Sequence, residues 1–163
     1  MPYGYGYTYG YFAGGKTASS PLSISAPNFT ALTSAQPYDF SVANSNEVTA
    51  SDADAGGGDF TFTIDATGDG TPTITLATTT GLVFATGDGT ADEIMEFDCT
   101  VAEFIAAMDG ATLQGGTDGS VSIAYTMTDG TNSASRTQTA TLTASAGTVG
   151  EPIGLLLALT KAA

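Results

Sequence analysis

Val121-Ser-Ile-Ala-Tyr-Thr-Met-Thr128 sets Val121, Ile123, Tyr125 and Met127 against Ser122, Ala124, Thr126 and Thr128. A period of two with one apolar face predicts a half-buried strand, and threonine suits the solvent side of such a strand. The same pattern recurs on either side. Phe60, Phe62 and Ile64 alternate with Thr61, Thr63 and Asp65, while Gln138, Ala140, Leu142 and Ala144 alternate with threonines. Turn signals punctuate these runs at Gly56-Gly-Gly, Gly68-Asp-Gly, Gly87-Asp-Gly, Gly115-Gly and Asp129-Gly. Several short strands at this spacing predict an all-β sandwich and speak against parallel βαβ units.

One helix is expected within this pattern. Thr100-Val-Ala-Glu103 has the form of a capping box, in which the two side chains satisfy each other's free amides. Val101, Phe104, Ile105 and Met108 then share a face, and Asp109-Gly110 ends the helix. It is expected to close one end of the sandwich. Cys99, just before it, reads as a small core hydrophobe.

Composition divides the chain into a Tyr/Gly-rich N-terminal arm at residues 1–20, the sandwich at residues 21–147 and an apolar arm at residues 148–163. A length of 163 residues allows one domain with a real core plus tails. The 17 carboxylates face three basic residues, Lys16, Arg136 and Lys161, giving a net charge of −14. That balance opposes nucleic acid, whose phosphates need a basic surface, and anionic lipid headgroups. It suits solubility, divalent cations or a basic patch on a partner.

Chemistry is poorly supplied. There is no His, so the commonest general base and transition-metal ligand is missing. A lone Cys cannot form an internal disulfide. Asp92/Glu93 and Glu96/Asp98 are carboxylate pairs of the kind glycosidases use, but they fall on or beside a predicted strand and read as a solvated face. The Gly-rich stretches lack the following Lys of a phosphate loop. No enzyme is expected. Met1-Pro-Tyr-Gly-Tyr has neither a basic n-region nor an apolar h-region, so no signal peptide is expected. The run Ile153–Leu159 falls short of the ~20 residues that span a bilayer. The chain is expected to be neither exported nor membrane-embedded.

Two arms and one loop are the candidate binding sites. Tyr3, Tyr5, Tyr7, Tyr9 and Tyr11 are spaced by Gly4, Gly6, Thr8 and Gly10, with Phe12 following. As a strand this places every ring on one face. Tyrosine provides large amphipathic contact area at low entropic cost. Ordering on a partner or in a homo-oligomer and a disordered Gly/Tyr tail are the two readings. Ile153, Leu155, Leu156, Leu157 and Leu159 form either a last strand or a peptide that adds to a partner. Ser51-Asp-Ala-Asp-Ala-Gly56 sets Asp52 and Asp54 two apart after Glu47, with Asp129 before a distant Gly turn. Such a loop is either a Ca²⁺ site, since Ca²⁺ takes 6–8 oxygen ligands, or a solvated turn.

These motifs in order carry a resemblance. Ser51-Asp-Ala-Asp-Ala-Gly, Phe60-Thr-Phe-Thr-Ile, Gly81-Leu-Val-Phe, Gly87-Asp-Gly-Thr, Phe97-Asp-Cys-Thr-Val-Ala-Glu-Phe-Ile-Ala-Ala-Met and Gly116-Thr-Asp-Gly-Ser-Val-Ser-Ile-Ala-Tyr-Thr-Met-Thr-Asp-Gly resemble the bacterial cadherin-like, immunoglobulin-like repeats over residues 38–145. The resemblance implies a Greek-key β-sandwich and Ca²⁺ on Asp52 and Asp54, joined by Glu47 and Asp129. Members of that family usually run in tandem, whereas one copy stands here. The whole chain, a small acidic domain between two arms, is similar to a capsid decoration protein or head fibre of a tailed phage. The function this implies is a virion structural protein, assembled in the host cytoplasm and displayed on the virion's outer surface. It would dock on the major capsid protein through its arms, would form a homo-oligomer and would require no cofactor. A phage tail fibre, tip or tube component and a Ca²⁺-dependent bacterial surface adhesin are the alternatives.

Overall fold

The alternating run at 121–128 forms the middle of a six-stranded sheet. In this computed structural model, residues 22–29, 32–33, 37–53, 58–115 and 119–143 are described. The elements run β1 (Ser23–Ser25), β2 (Leu32–Thr33), β3 (Tyr38–Phe40), β4 (Thr49–Ser51), β5 (Phe60–Gly68), β6 (Thr73–Thr75), β7 (Val83–Thr86), β8 (Ile94–Cys99), α1 (Val101–Met108), β9 (Ala111–Gln114), β10 (Gly119–Thr128) and β11 (Ser133–Thr143). The larger sheet has the order β2-β11-β10-β5-β8-β7, and the smaller has the order β3-β9-β6. β1 and β4 form a third, two-stranded ladder. Neighbours are antiparallel except β2, which lies parallel to β11.

Register follows from the apolar pattern. Met127 stands opposite Phe62, which stands opposite Phe97; Tyr125 stands opposite Ile64, which stands opposite Met95. All six side chains are buried. A slip of one residue would turn that row to water, so the pattern fixes the pairing. Phe40, Ile74 and Leu113 of the smaller sheet join the same core, and the described residues form an all-β sandwich with one short helix. The opposite face of the larger sheet carries hydroxyls, including Thr61 and Thr63 on β5, Thr126 on β10 and Thr137 on β11.

α1 carries the chain from β8 in the larger sheet to β9 in the smaller. Its start is the expected capping box: the Glu103 amide donates to Thr100 Oγ1 at 3.3 Å, and the Thr100 amide donates to Glu103 Oε2 at 2.8 Å. Phe104, Ala107 and Met108 are buried, and the Phe104 ring stacks on Phe62 with centroids 4.2 Å apart. Val101 and Ile105 pack against the core half-buried. Asp109 caps the C-terminus and Gly110 takes φ +97°, a left-handed conformation that ends the helix. The Gly110 amide then donates to the Phe40 carbonyl at 2.6 Å, which ties the helix exit to the smaller sheet. Among the described residues, no helix is long and apolar enough to cross a membrane.

Candidate functional site

Carboxylates are the commonest charged groups among the described residues, and most of those with described bonds hold the protein's own turns. Asp129 closes the β10–β11 hairpin. Its Oδ1 accepts from the Thr131 and Asn132 amides at 2.7 and 2.6 Å, and its Oδ2 accepts from Asn132 Nδ2 at 3.0 Å. Asp92 Oδ2 accepts from the Asp88 and Gly89 amides at 3.0 and 2.7 Å. Gly87 is needed there, since at φ +75° an added Cβ would lie 2.8 Å from that same oxygen. Asp69 accepts from the Ser120 amide, Asp109 from the Val42 amide and Asp98 from the Thr61 hydroxyl.

These bonds set the electrostatics. Backbone and side-chain donors of Asn132, with the Thr131 amide, hold the Asp129 carboxyl below the usual carboxylate range. The Thr100 amide and hydroxyl do the same for Glu103. Both groups are therefore fixed as anions, the opposite of a carboxyl poised to move a proton near neutrality. Cys99 is 1% exposed, and burial, with the charges of Glu103, Asp59 and Asp98, pushes its thiol up to about 12. It is an inert core side chain. Burial likewise raises Tyr125, whose hydroxyl donates to Gln138 Oε1 at 2.7 Å.

Gln138 belongs to a latch. Its Nε2 donates to the Pro27 carbonyl, so Tyr125, Gln138 and Pro27 form one chain of hydrogen bonds, buried at Tyr125 and half-buried at Pro27. Two residues along β11, Arg136 Nε donates to the Ala26 carbonyl at 3.1 Å and Arg136 Nη2 to Asn28 Oδ1 at 3.2 Å. The segment 26–28 is thus pinned against the β11 side of the sandwich. Beside it lie two clefts. One, of about 460 Å³, is lined by Ser25, Pro27, Val42, Ser45, Glu47 and Thr49. The other, of about 500 Å³, is lined in part by Asn28, Tyr38, Asp39 and Asn46.

The rest of the surface is acidic. All carboxylates but Asp54, Asp118 and Glu151 fall among the described residues, against one basic side chain, Arg136, which is engaged in the latch. The far edge of the larger sheet is β7, which pairs only with β8 among the described strands. Val83 on that edge is 68% exposed. It stands opposite Asp98, while Thr86 stands opposite Glu96 after a bulge.

The structure places the expected site residues unevenly. Glu47 lines the first cleft, Asp52 follows β4, and Asp129 is engaged in its own turn. Among the described residues, no group of three or more His, Cys, Asp or Glu side chains gathers to hold a metal ion. Asp54 lies outside the described residues, as do Tyr3, Tyr5, Tyr7, Tyr9, Tyr11, Phe12, Ile153, Leu155, Leu156, Leu157 and Leu159. Sequence reasoning missed the latch. Its only local trace was Gln138, a polar residue on the apolar face of an alternating strand. Compared with family models, curated proteins and solved structures, the chain matches none of them.

Proposed function

We propose that the chain is a virion structural protein: a capsid decoration, cement or head-fibre protein of a tailed phage. Its terminal arms attach it and its sandwich is displayed outward. The major capsid protein is the main partner, copies associate with one another, and assembly takes place in the host cytoplasm. The sandwich belongs, in this reading, to the immunoglobulin-like, cadherin-like Greek-key class, which the motif order from Ser51 to Gly130 resembles. The observation that carries the proposal is the use of the carboxylates. Asp69, Asp92, Asp109, Asp129 and Glu103 bond the protein's own amides, as suits a rigid acidic scaffold with no reaction to run. No nucleic acid, membrane or metal is needed. Chains lacking residues 1–20 or residues 148–163 test it, by their occupancy on virions stripped of the native protein. Loss of occupancy without residues 148–163 is expected, with weakened occupancy without residues 1–20. Full occupancy by both shortened chains would overturn the arm role.

A further inference from the structure

The two sides of the larger sheet are finished differently. On one side β11 is covered by β2 and by the pinned segment 26–28. On the other, β7 ends the sheet with four residues, Val83-Phe-Ala-Thr86. Natural edge strands are guarded by brevity, a bulge, Lys, Pro, an inward charge or a covering element. β7 has the first two, four residues and a bulge between Phe84 and Thr86, and carries no Lys, Pro or charged side chain of its own. Phe84 is half-buried against Phe97, centroids 5.3 Å apart, and Val83 is largely in water. An extended segment added here would gain main-chain hydrogen bonds and cover both side chains.

The surroundings say what kind of segment fits. Asp98 and Glu96 lie on the neighbouring strand opposite Val83 and Thr86, and Asp88 and Asp92 stand just beyond the strand's end. A second β7 would bring a second set of these charges, so edge-to-edge pairing of two sheets is opposed. Residues 1–38 contain no carboxylate and carry Lys16. Within them, Tyr3, Tyr5, Tyr7, Tyr9 and Tyr11 have the period of a strand, with glycines that allow close backbone approach.

We infer that the tyrosine segment Tyr3–Tyr11 of one copy adds as a strand to the β7 edge of a neighbouring copy. Geometry favours a neighbour over the same copy. β1, which the arm leads into, contacts β11 and β10, on the side of the sheet away from β7. The lateral span from β11 to β7 is four strand spacings, roughly 19 Å, and the second layer adds roughly 10 Å. From Tyr11 to Leu22 the chain reaches roughly 36 Å only when fully extended. The linker can make that span only when stretched over most of its reach, which lowers its effective concentration within one copy relative to a relaxed linker. Donor and acceptor lie on different surfaces, so the contact is head-to-tail and builds rings or open chains of copies. This rests on the reading of the arms as attachment devices, and assigns the N-terminal arm to copy-to-copy contact.

Self-association is measured without virions, so its failure is distinguishable from failure of capsid docking. Sedimentation of the full chain should show species larger than a monomer, with mass rising with concentration. The chain lacking residues 1–20 should be monomeric. An edge variant, Ala85→Pro, or Val83→Glu if the first fails to fold, should also be monomeric. Mixing that variant, which keeps its arm, with the arm-less chain, which keeps its edge, should give a one-to-one pair and nothing larger. Oxidation of a Tyr7→Cys/Val83→Cys chain should give intermolecular disulfides, with buried Cys99 uninvolved. A full chain that stays monomeric, an arm-less chain that still oligomerises, or a Tyr7–Val83 disulfide formed only within single chains would overturn the inference.

Discussion

The β11 edge and the β7 edge bound the same sheet, yet they are built on different physical terms. At β11, β2 adds a parallel rung, and Gln138 and Arg136 hold the segment 26–28 from more than a hundred residues away. Among the described residues no buried side-chain polar atom lacks a partner, and Gln138 is 1% exposed. At β7 the strand is short, bulged and largely wet, and its neighbours are carboxylates. One edge is held by long-range side-chain hydrogen bonds within the fold, and the other pairs on one side only among the described strands. Changes at the first should therefore register as stability, and changes at the second as association.

Both edges depend on the shared core, so the largest loss should follow Phe62→Ala. That ring stacks on Phe104 and stands opposite Phe97 and Met127. Removing it should cost about 4 kcal/mol in urea unfolding. Next comes the closed edge. Gln138→Ala strands the buried Tyr125 hydroxyl and frees the half-buried Pro27 carbonyl, and should cost about 2 kcal/mol. The open edge should behave otherwise: Val83→Thr should change stability by less than about 0.5 kcal/mol, as at an ordinary surface position. A cost at Val83 equal to that at Gln138 would erase the distinction between the two edges.

Acid should weaken the turns before it reaches the core. Asp129 and Glu103 have folded-state pKa values below their unfolded ones, so the stability they contribute is present above the ordinary carboxylate range. It is lost as pH falls through their folded values. The melting temperature should therefore fall as pH drops below about 4, and Asp129→Ala should flatten part of that fall. At neutral pH added salt should raise the melting temperature, because it screens the self-repulsion of a chain with net charge −14. The smallest effect should come from a chelator. With both Asp129 oxygens already bonded to loop donors, the melting temperature should be the same with Ca²⁺ and with chelator. A clear rise on adding Ca²⁺ would support the metal reading of the Asp52 loop.

What the sequence made legible was local. Phe60–Ile64 and Val121–Met127 announce their buried face through a period of two, and Thr100 and Glu103 announce a helix start through spacing alone. Asp129-Gly130 reads as a turn for the same reason. The latch was not legible, because Gln138 finds its partners at Tyr125 and Pro27 through tertiary pairing that leaves no periodic trace. Nor was the parallel pairing of β2 with β11, whose two residues are too few to show a pattern. Ser45 adopts positive φ in a turn that contains no glycine, so that turn was unmarked too. Of the candidate sites, the Asp129 turn was recognisable as a turn, and its closure by Asn132 was a matter of side-chain geometry.

The contrast between the edges is tested most directly by amide hydrogen exchange on the full chain and on the chain lacking residues 1–20, at equal concentration. Residues 133–143 should be equally protected in both, because their cover lies within the copy. Residues 83–86 should be protected in the full chain and exchange faster without the arm. Identical exchange at 83–86 in the two chains would contradict the account.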